Sequence, residues 1–367
     1  MDRRLSSYTG CLLGLAAGDA MGYVVNDKSL EQIRLDYGPE GLLGYDLVNG
    51  YADISSHTQV AAFVCNGLLL GLTHGQMTGA MEPFVRYIIL GEKDWAKTQK
   101  YRREPGERIY CWVSRSEPLR SRRCMDTLML DTINRGRFGT MEEPVNRFQS
   151  PGSITAAVPV GLFFDPVRSG REEIQRLGAE AVAITHGNPL AFLAGAALAH
   201  IISRLTWDAE TDLRGVVRES ISMLQARFAH EYKQTAEVCQ GLRMALSLAI
   251  SHNVREVDAM EQLQCDTAAK VLSGAVYAAL CHPTNFDEAM ITAVNHSGCS
   301  AAVGAVTGAI LGAALGAEQL PEFYLECLEP AQVLTELAQD MFQGCPMDFA
   351  SRMFDMEWDN KYNDGGI

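Results

Sequence analysis

The 367-residue chain has no excess of basic residues: 31 Lys and Arg stand against 45 Asp and Glu, a net charge of -14. A large footprint on a phosphate backbone is therefore excluded, and nucleic acid is not an expected partner. No CxxC pair occurs among the ten cysteines, so neither a zinc ribbon nor a redox motif is indicated. Cysteines in apolar runs, such as Cys65 in AAFVCNGLLLG, read as buried, reduced thiols in a cytoplasm. There is no GxxxxGK[ST] motif, which argues against nucleoside triphosphate hydrolysis. The N-terminus, MDRRLSSYTGCLLGLAAGDAMG, begins basic and turns apolar, but Gly18 and Asp19 interrupt it and no clear cleavage site follows. No signal peptide is read there. One further absence is local. The stretch NHSGCSAAVGAVTGAILGAALG, residues 295–316, has the setting of a ligand loop in front of a helix, yet holds no Asp, Glu, Lys or Arg.

Helical periodicity is abundant and strand signals are scarce. Apolar residues recur at helical spacing in 8–20, 58–72, 79–90, 178–185, 189–205, 212–229, 233–251, 265–281, 285–294 and 300–315. Asn188 followed by Pro189 reads as a helix start, as does Asn285 or Thr284 in HPTNFDEAM. Ser56 or Thr58 reads as the cap of a helix ending before Gly75. Gly304, Gly308, Gly312 and Gly316 recur every fourth residue in an uncharged segment about as long as a membrane span. Ala and Gly contribute little hydrophobicity, so the reading is a helix at the centre of a bundle, with no membrane partner. Between about 91 and 155 the pattern fails, and the segment reads as long loops across one face. The expectation is an all-α chain forming one large domain over 1–367.

Four stretches together resemble the ADP-ribosylglycohydrolase family, which includes the dinitrogenase reductase-activating glycohydrolases. They are GCLLGLAAGDAMGYVVN (10–26), ISSHTQVAAFVCNGLL (54–69), AAVPVGLFF with AVAITHGNPLAFLAGAALA (within 156–199), and AVNHSGCSAAVGAVTGAILGAALG (293–316). The resemblance implies a helical fold and two adjacent Mg²⁺ ions that orient ADP-ribose and water for glycosidic cleavage. Such ions want oxygen ligands and several carboxylates to offset their mutual repulsion. At the positions the resemblance assigns to those acids, this chain has Asn26, Ser56, His57, Cys299 and Ala301, with Ser55 and Ala302 at hydroxyl positions. The loops CMDT (124–127) and SPGSITAA (150–157) also depart from the family pattern. Gly18-Asp19-Ala20, Thr58-Gln59, Thr185-His186 and Asn295 remain. The scaffold is kept, and no metal site or cofactor is expected.

The resemblance places His57 and Cys299 on one cavity. A Cys–His pair can act as nucleophile and base, or bind a soft metal, although two donors make a poor zinc site. The bland alternative is drift after the acids were lost. The expected pocket also takes in Asn26, Ser55, Ser56 and Thr58 from the first two stretches. From the SPGSITAA loop it takes in Ser150, Gly152 and Ser153, and from the later stretches His186, Ser297, Gly298 and Ser300. Backbone amides at 150–153 and at the helix starts after Ser55 and Cys299 could hold an anion without charged side chains. Asp19 and His186 read more simply as structural hydrogen-bonders. The resulting expectation is a non-hydrolytic relative that binds an ADP-ribose-like molecule or an ADP-ribosylated protein. A hydrolase of altered, metal-free chemistry and a structural protein are the rivals.

Overall fold

A glycine row on the first helix meets a glycine row on a helix nearly three hundred residues later, and this seam organises the molecule. The computed structural model describes residues 2–100, 106–208, 212–251 and 253–363. Among the described residues there are nineteen α-helices and no strand. The first helix, Arg3–Tyr23, is capped by Asp2, whose carboxylate accepts from the Arg4 and Leu5 amides. It runs antiparallel to the helix Ser300–Leu315, pairing Gly10 with Gly312, Gly14 with Gly308, Gly18 with Gly304, and Gly22 with Ser300. A Cβ at any of these glycines would fall on the partner's backbone carbonyl. Period four puts each row on one face, and the missing side chains let the two backbones touch. Residues 300–313 are all buried.

Around this pair stand the helices Ser56–Thr78, Pro189–Trp207 and Ala268–Cys281, each buried along most of its length. Ser56–Thr78 and Pro189–Trp207 are long and apolar enough to cross a membrane by composition, but they lie mostly inside the protein. Asn188 caps the second through the Leu190 amide, with Pro189 in the first turn as expected. Asn285 caps Phe286–Val294.

Several boundaries differ from expectation, among them the helix read over 178–185, which spans Arg171–Ala183. Ser55, rather than Ser56 or Thr58, caps Ser56–Thr78. That helix runs through Gly75, which sits against Met81, and stops where Gly79 takes a left-handed conformation, φ 70°. The helix Phe84–Thr98 extends into the segment read as loop from residue 91. Its inward face is Tyr87, Ile88, Gly91, Glu92, Trp95 and Ala96. A glycine and a carboxyl in the middle of that face hide the apolar period. Beyond it, residues 101–105 lie outside the described residues. Short helices at Glu117–Arg120 and Thr127–Asn134 and a 3₁₀ turn at Pro151–Ala156 break up the remainder.

Candidate functional site

Several chain segments begin or end at one cavity of about 260 Å³. The end of the first helix brings Asn26 and Asp27, and the start of Ser56–Thr78 brings His57. Asp126 comes from the start of Thr127–Asn134, Ser150 and Gly152 from the 3₁₀ turn, and Cys299 from the start of the glycine helix, with Asp266 at the edge. Five of the residues expected at a pocket are therefore on its wall: Asn26, His57, Ser150, Gly152 and Cys299.

The other candidates lie off that wall, most of them buried behind it. Ser55 and Thr58 are held by Asp19, which is fully buried. Its Oδ1 accepts from Ser55 Oγ (2.5 Å), and its Oδ2 from Thr58 Oγ1 (2.6 Å) and from the Ser55 and Thr58 amides (both 3.0 Å). Ser56 Oγ accepts the Met125 amide (2.9 Å). Ser153 is buried beneath the turn, and Ser300 is buried in the glycine helix. Ser297 Oγ accepts the Leu30 amide at the surface (2.8 Å). Gly298 is packed so tightly that a Cβ would come within 2.8 Å of His296 Nδ1 and 2.9 Å of the Cys265 carbonyl.

His186 lies behind Asp126 rather than on the cavity. Its Nε2 is 3.2 Å from Asp126 Oδ2 and 3.0 Å from Ser150 Oγ, while Nδ1 faces Thr185 Oγ1 at 3.0 Å. Ser150 Oγ donates to Asp126 Oδ2 at 2.5 Å. A nucleophilic triad needs the hydroxyl on one ring nitrogen and the carboxylate on the other. Here both share Nε2 and bond to each other, so the cluster is a clamp that fixes Asp126. Asp126 Oδ1 also accepts the Leu128 and Met129 amides at 2.9 and 3.0 Å. Burial alone would raise this carboxyl. The bonds from His186, Ser150 and Met129 outweigh it and hold the group well below the usual carboxylate range.

His57 is 3% exposed, and its Nδ1 has no hydrogen-bond partner. Burial lowers its pKa against the opposing pull of Asp19 and Asp126, so the ring is neutral. Burial, reinforced by Asp27, Asp266 and Asp126, pushes the Cys299 thiol up to about 12. A nucleophilic cysteine needs the opposite setting, electropositive and with a depressed pKa.

Asp27, Asp126 and Asp266 escaped the sequence reading. Asp126 had a legible signal: an Asp directly before the apolar run TLML is a helix-cap pattern. Nothing local marks Asp27 or Asp266.

The donors present do not fit a pair of Mg²⁺ ions. Asn26 Oδ1 accepts the Ala301 amide (3.1 Å), and Ala301 itself offers only a buried methyl. Ser56 Oγ is engaged, His57 is a neutral imidazole and Cys299 a protonated thiol. Asp126 has both oxygens occupied by donors. Among the described residues no three His, Cys, Asp or Glu side chains are grouped to hold a metal.

Comparison with known proteins supplies the lineage. A family model described as ADP-ribosylglycohydrolase matches residues 1–350. A solved structure described as an ADP-ribosylglycohydrolase-related protein complex is similar to this fold with a TM-score of 0.54 and 19% sequence identity. The match covers 94% of this chain and 99% of that one. No curated protein matches the sequence.

Proposed function

The chain belongs to the ADP-ribosylglycohydrolase family, and we propose that within it this protein is a non-hydrolytic member that uses the cavity at Asn26, His57 and Cys299 for binding rather than cleavage. The observation that carries the reading is the use now made of the five positions assigned to metal-binding acids. Asn26 caps a helix, Ser56 secures the 124–127 loop, His57 is neutral, Cys299 is protonated and Ala301 is a methyl. In a metal-dependent glycosidase the ions orient substrate and activate water. Of the three carboxylates on this cavity wall, Asp126 is already saturated with donors, and Asp27 and Asp266 are exposed side chains at its rim; they do not make up the lost set of converging acids.

The cavity is smaller than the roughly 300–1,000 Å³ of typical ligand clefts. One furanose-sized end of an ADP-ribose-like molecule, or of an ADP-ribosylated protein, enters it, and the rest of the ligand lies outside.

Two measurements test this. ADP-ribosylated arginine and serine substrates are expected to release no ADP-ribose above the no-enzyme control, with or without Mg²⁺. Mg²⁺ is expected to leave the melting temperature unchanged. Turnover abolished by Cys299→Ala or His57→Ala would sink the non-hydrolytic reading in favour of a thiol–imidazole mechanism. Saturable stabilisation by Mg²⁺ would show that the donors do converge on metal.

A further inference from the structure

Two long segments of the chain, 35–85 and 271–351, hold no Lys or Arg. The fold brings an exposed part of each together. Asn49 and Gly50 take positive φ, 54° and 86°, and close a two-residue hairpin. In it the Val48 amide donates to the Tyr51 carbonyl (2.8 Å) and the Tyr51 amide to that of Val48 (3.0 Å). Cross-strand partners project from one face, so Val48 and Tyr51 stand side by side, 49% and 55% exposed. Contacts on either side of the turn pin the hairpin to the short helix Glu322–Glu326. The Ala52 amide donates to the Cys327 carbonyl (2.8 Å), and Tyr45 meets Tyr324 edge-on, with ring centroids 5.0 Å apart. Leu47 on the hairpin and Phe323 on the helix are exposed as well, 42% and 51%. Large apolar side chains gathered in one exposed region mark a contact surface. The charges these two segments place there are acidic: Asp46, Glu322 and Glu326 are exposed among the apolar groups.

A basic edge adjoins this surface. The stretch SRSEPLRSRR, residues 114–123, carries four arginines against one acid. Arg123 fixes where it lies. Its guanidinium is paired with Glu329 (2.5 Å) and Asp53 (3.2 Å) and donates to the Ile54 carbonyl (3.2 Å). Glu329 closely follows the short helix and Asp53 closely follows Tyr51, so the acidic, apolar surface and the arginine stretch share a border. Arg120, just before that border, is exposed.

We propose that this two-signed face pairs with the same face of a second copy of the chain. Adjacent patches of opposite sign become self-complementary about a two-fold axis through their border, because each residue pair across the axis is made twice. The axis lays Arg120 of each copy against Glu322 and Glu326 of the other, while Leu47, Val48, Tyr51 and Phe323 lose water between them. A foreign partner of one sign would satisfy only half of the face. The net charge of -14 opposes association at long range. Salt screens that repulsion beyond about 8 Å at physiological ionic strength, whereas charge pairs in contact and apolar burial act at short range. The stretch that carries Arg120 and Arg123 runs on into Met125, Asp126 and Thr127 of the cavity wall, so the paired face lies beside the cavity. What the cavity binds has no bearing on the pairing.

Sedimentation of the full chain over about 1–100 μM, at one fixed ionic strength, reads the association. A concentration-dependent shift from monomer to dimer is expected. The double variant Leu47→Ser, Phe323→Ser changes exposed side chains only, so it should keep the melting temperature and weaken pairing at least about ten-fold. Arg120→Glu alone should weaken it by at least about as much, and so should the double variant Glu322→Lys, Glu326→Lys, because each sets like charges against each other at both contacts. Mixed in equal amounts, these two charge variants should pair again, since every contact in the mixed dimer joins opposite charges. A chain that stays monomeric throughout would overturn the proposal and leave the surface to a different protein. So would a dimer indifferent to the apolar or to the charge variants, or a mixture that pairs no better than its components.

Discussion

Cys299 faces three carboxylates and, among the described residues, no cation, and burial with those charges carries its thiol from 9.0 to about 12. Because only the thiolate attacks, that rise lowers the reactive population roughly a thousand-fold near neutral pH. Alkylation of Cys299 by iodoacetamide at pH 8, followed by peptide mass spectrometry, should lag far behind a free cysteine in the same tube. Labelling as fast as the free thiol would show a thiolate and reopen the nucleophile. Glu92 poses the complementary problem. It is fully buried in the Phe84–Thr98 helix, neither carboxyl oxygen has a partner, and burial pushes its pKa well above 4.5. Below the ordinary carboxylate range the group is protonated in both folded and unfolded chains, so the folded state keeps its full stability. As pH rises past about 4.5 only the unfolded chain releases the proton, and stability falls until the buried group itself ionises. Glu92→Gln removes this dependence, so its melting temperature should gain on the unaltered chain as pH rises past about 4.5. Parallel pH profiles for the two proteins would show that Glu92 is not the buried acid described here.

At the scale of elements, the seam between Arg3–Tyr23 and Ser300–Leu315 has no slack. A Cβ on Gly308 falls on the Gly14 carbonyl, and backbone cannot rotate aside as a side chain can. Gly308→Ala should therefore part the two helices and destabilise the protein by about 1–3 kcal/mol or more, although alanine is the better helix former. Gly44→Ala, where nothing lies within 4 Å of the added carbon, is the control and should be close to neutral. Urea denaturation of the pair decides the point: equal midpoints would mean the seam can relax. Half of this seam was legible in the sequence. The period-four glycines from 304 onwards announce a close approach, but only the folded chain shows that the partner row is Gly10, Gly14, Gly18 and Gly22. The Phe84–Thr98 helix was obscured from residue 91 for the opposite reason. Gly91 and Glu92 occupy its inward face, and neither registers as apolar.

Across the whole molecule, the cavity gathers residues as distant as Asn26 and Cys299, so spacing alone could not unite them. The order of four motifs resembling one family did so for Asn26, His57 and Cys299, and the SPGSITAA loop, read beside them, added Ser150 and Gly152. It failed for Asp27 and Asp266, which stand at no position the family motif marks, and for Asp126, whose CMDT loop was read only as a departure from the pattern. The family match also ends at residue 350, yet the molecule does not close there. The helix Met356–Tyr362 lays Trp358 and Tyr362 into the core, 4% and 1% exposed. Trp358 Nε1 donates to Thr73 Oγ1 (2.8 Å), and Tyr362 OH and Lys361 Nζ donate to Asp340 Oδ2 (2.7 and 3.0 Å). Tyr362 also meets Trp112 edge-on, with ring centroids 6.5 Å apart. Ending the chain after Ala350 would uncover this apolar surface and strip three donors from Thr73 and Asp340. Each large side chain withdrawn from burial costs roughly 1.5–3 kcal/mol, a sizeable share of the about 5–15 kcal/mol that holds a typical domain folded. The shortened chain should unfold at a distinctly lower urea concentration and lose the tryptophan fluorescence change assigned to Trp358. An unchanged midpoint would mean that the last helix rests on the surface instead of completing the core.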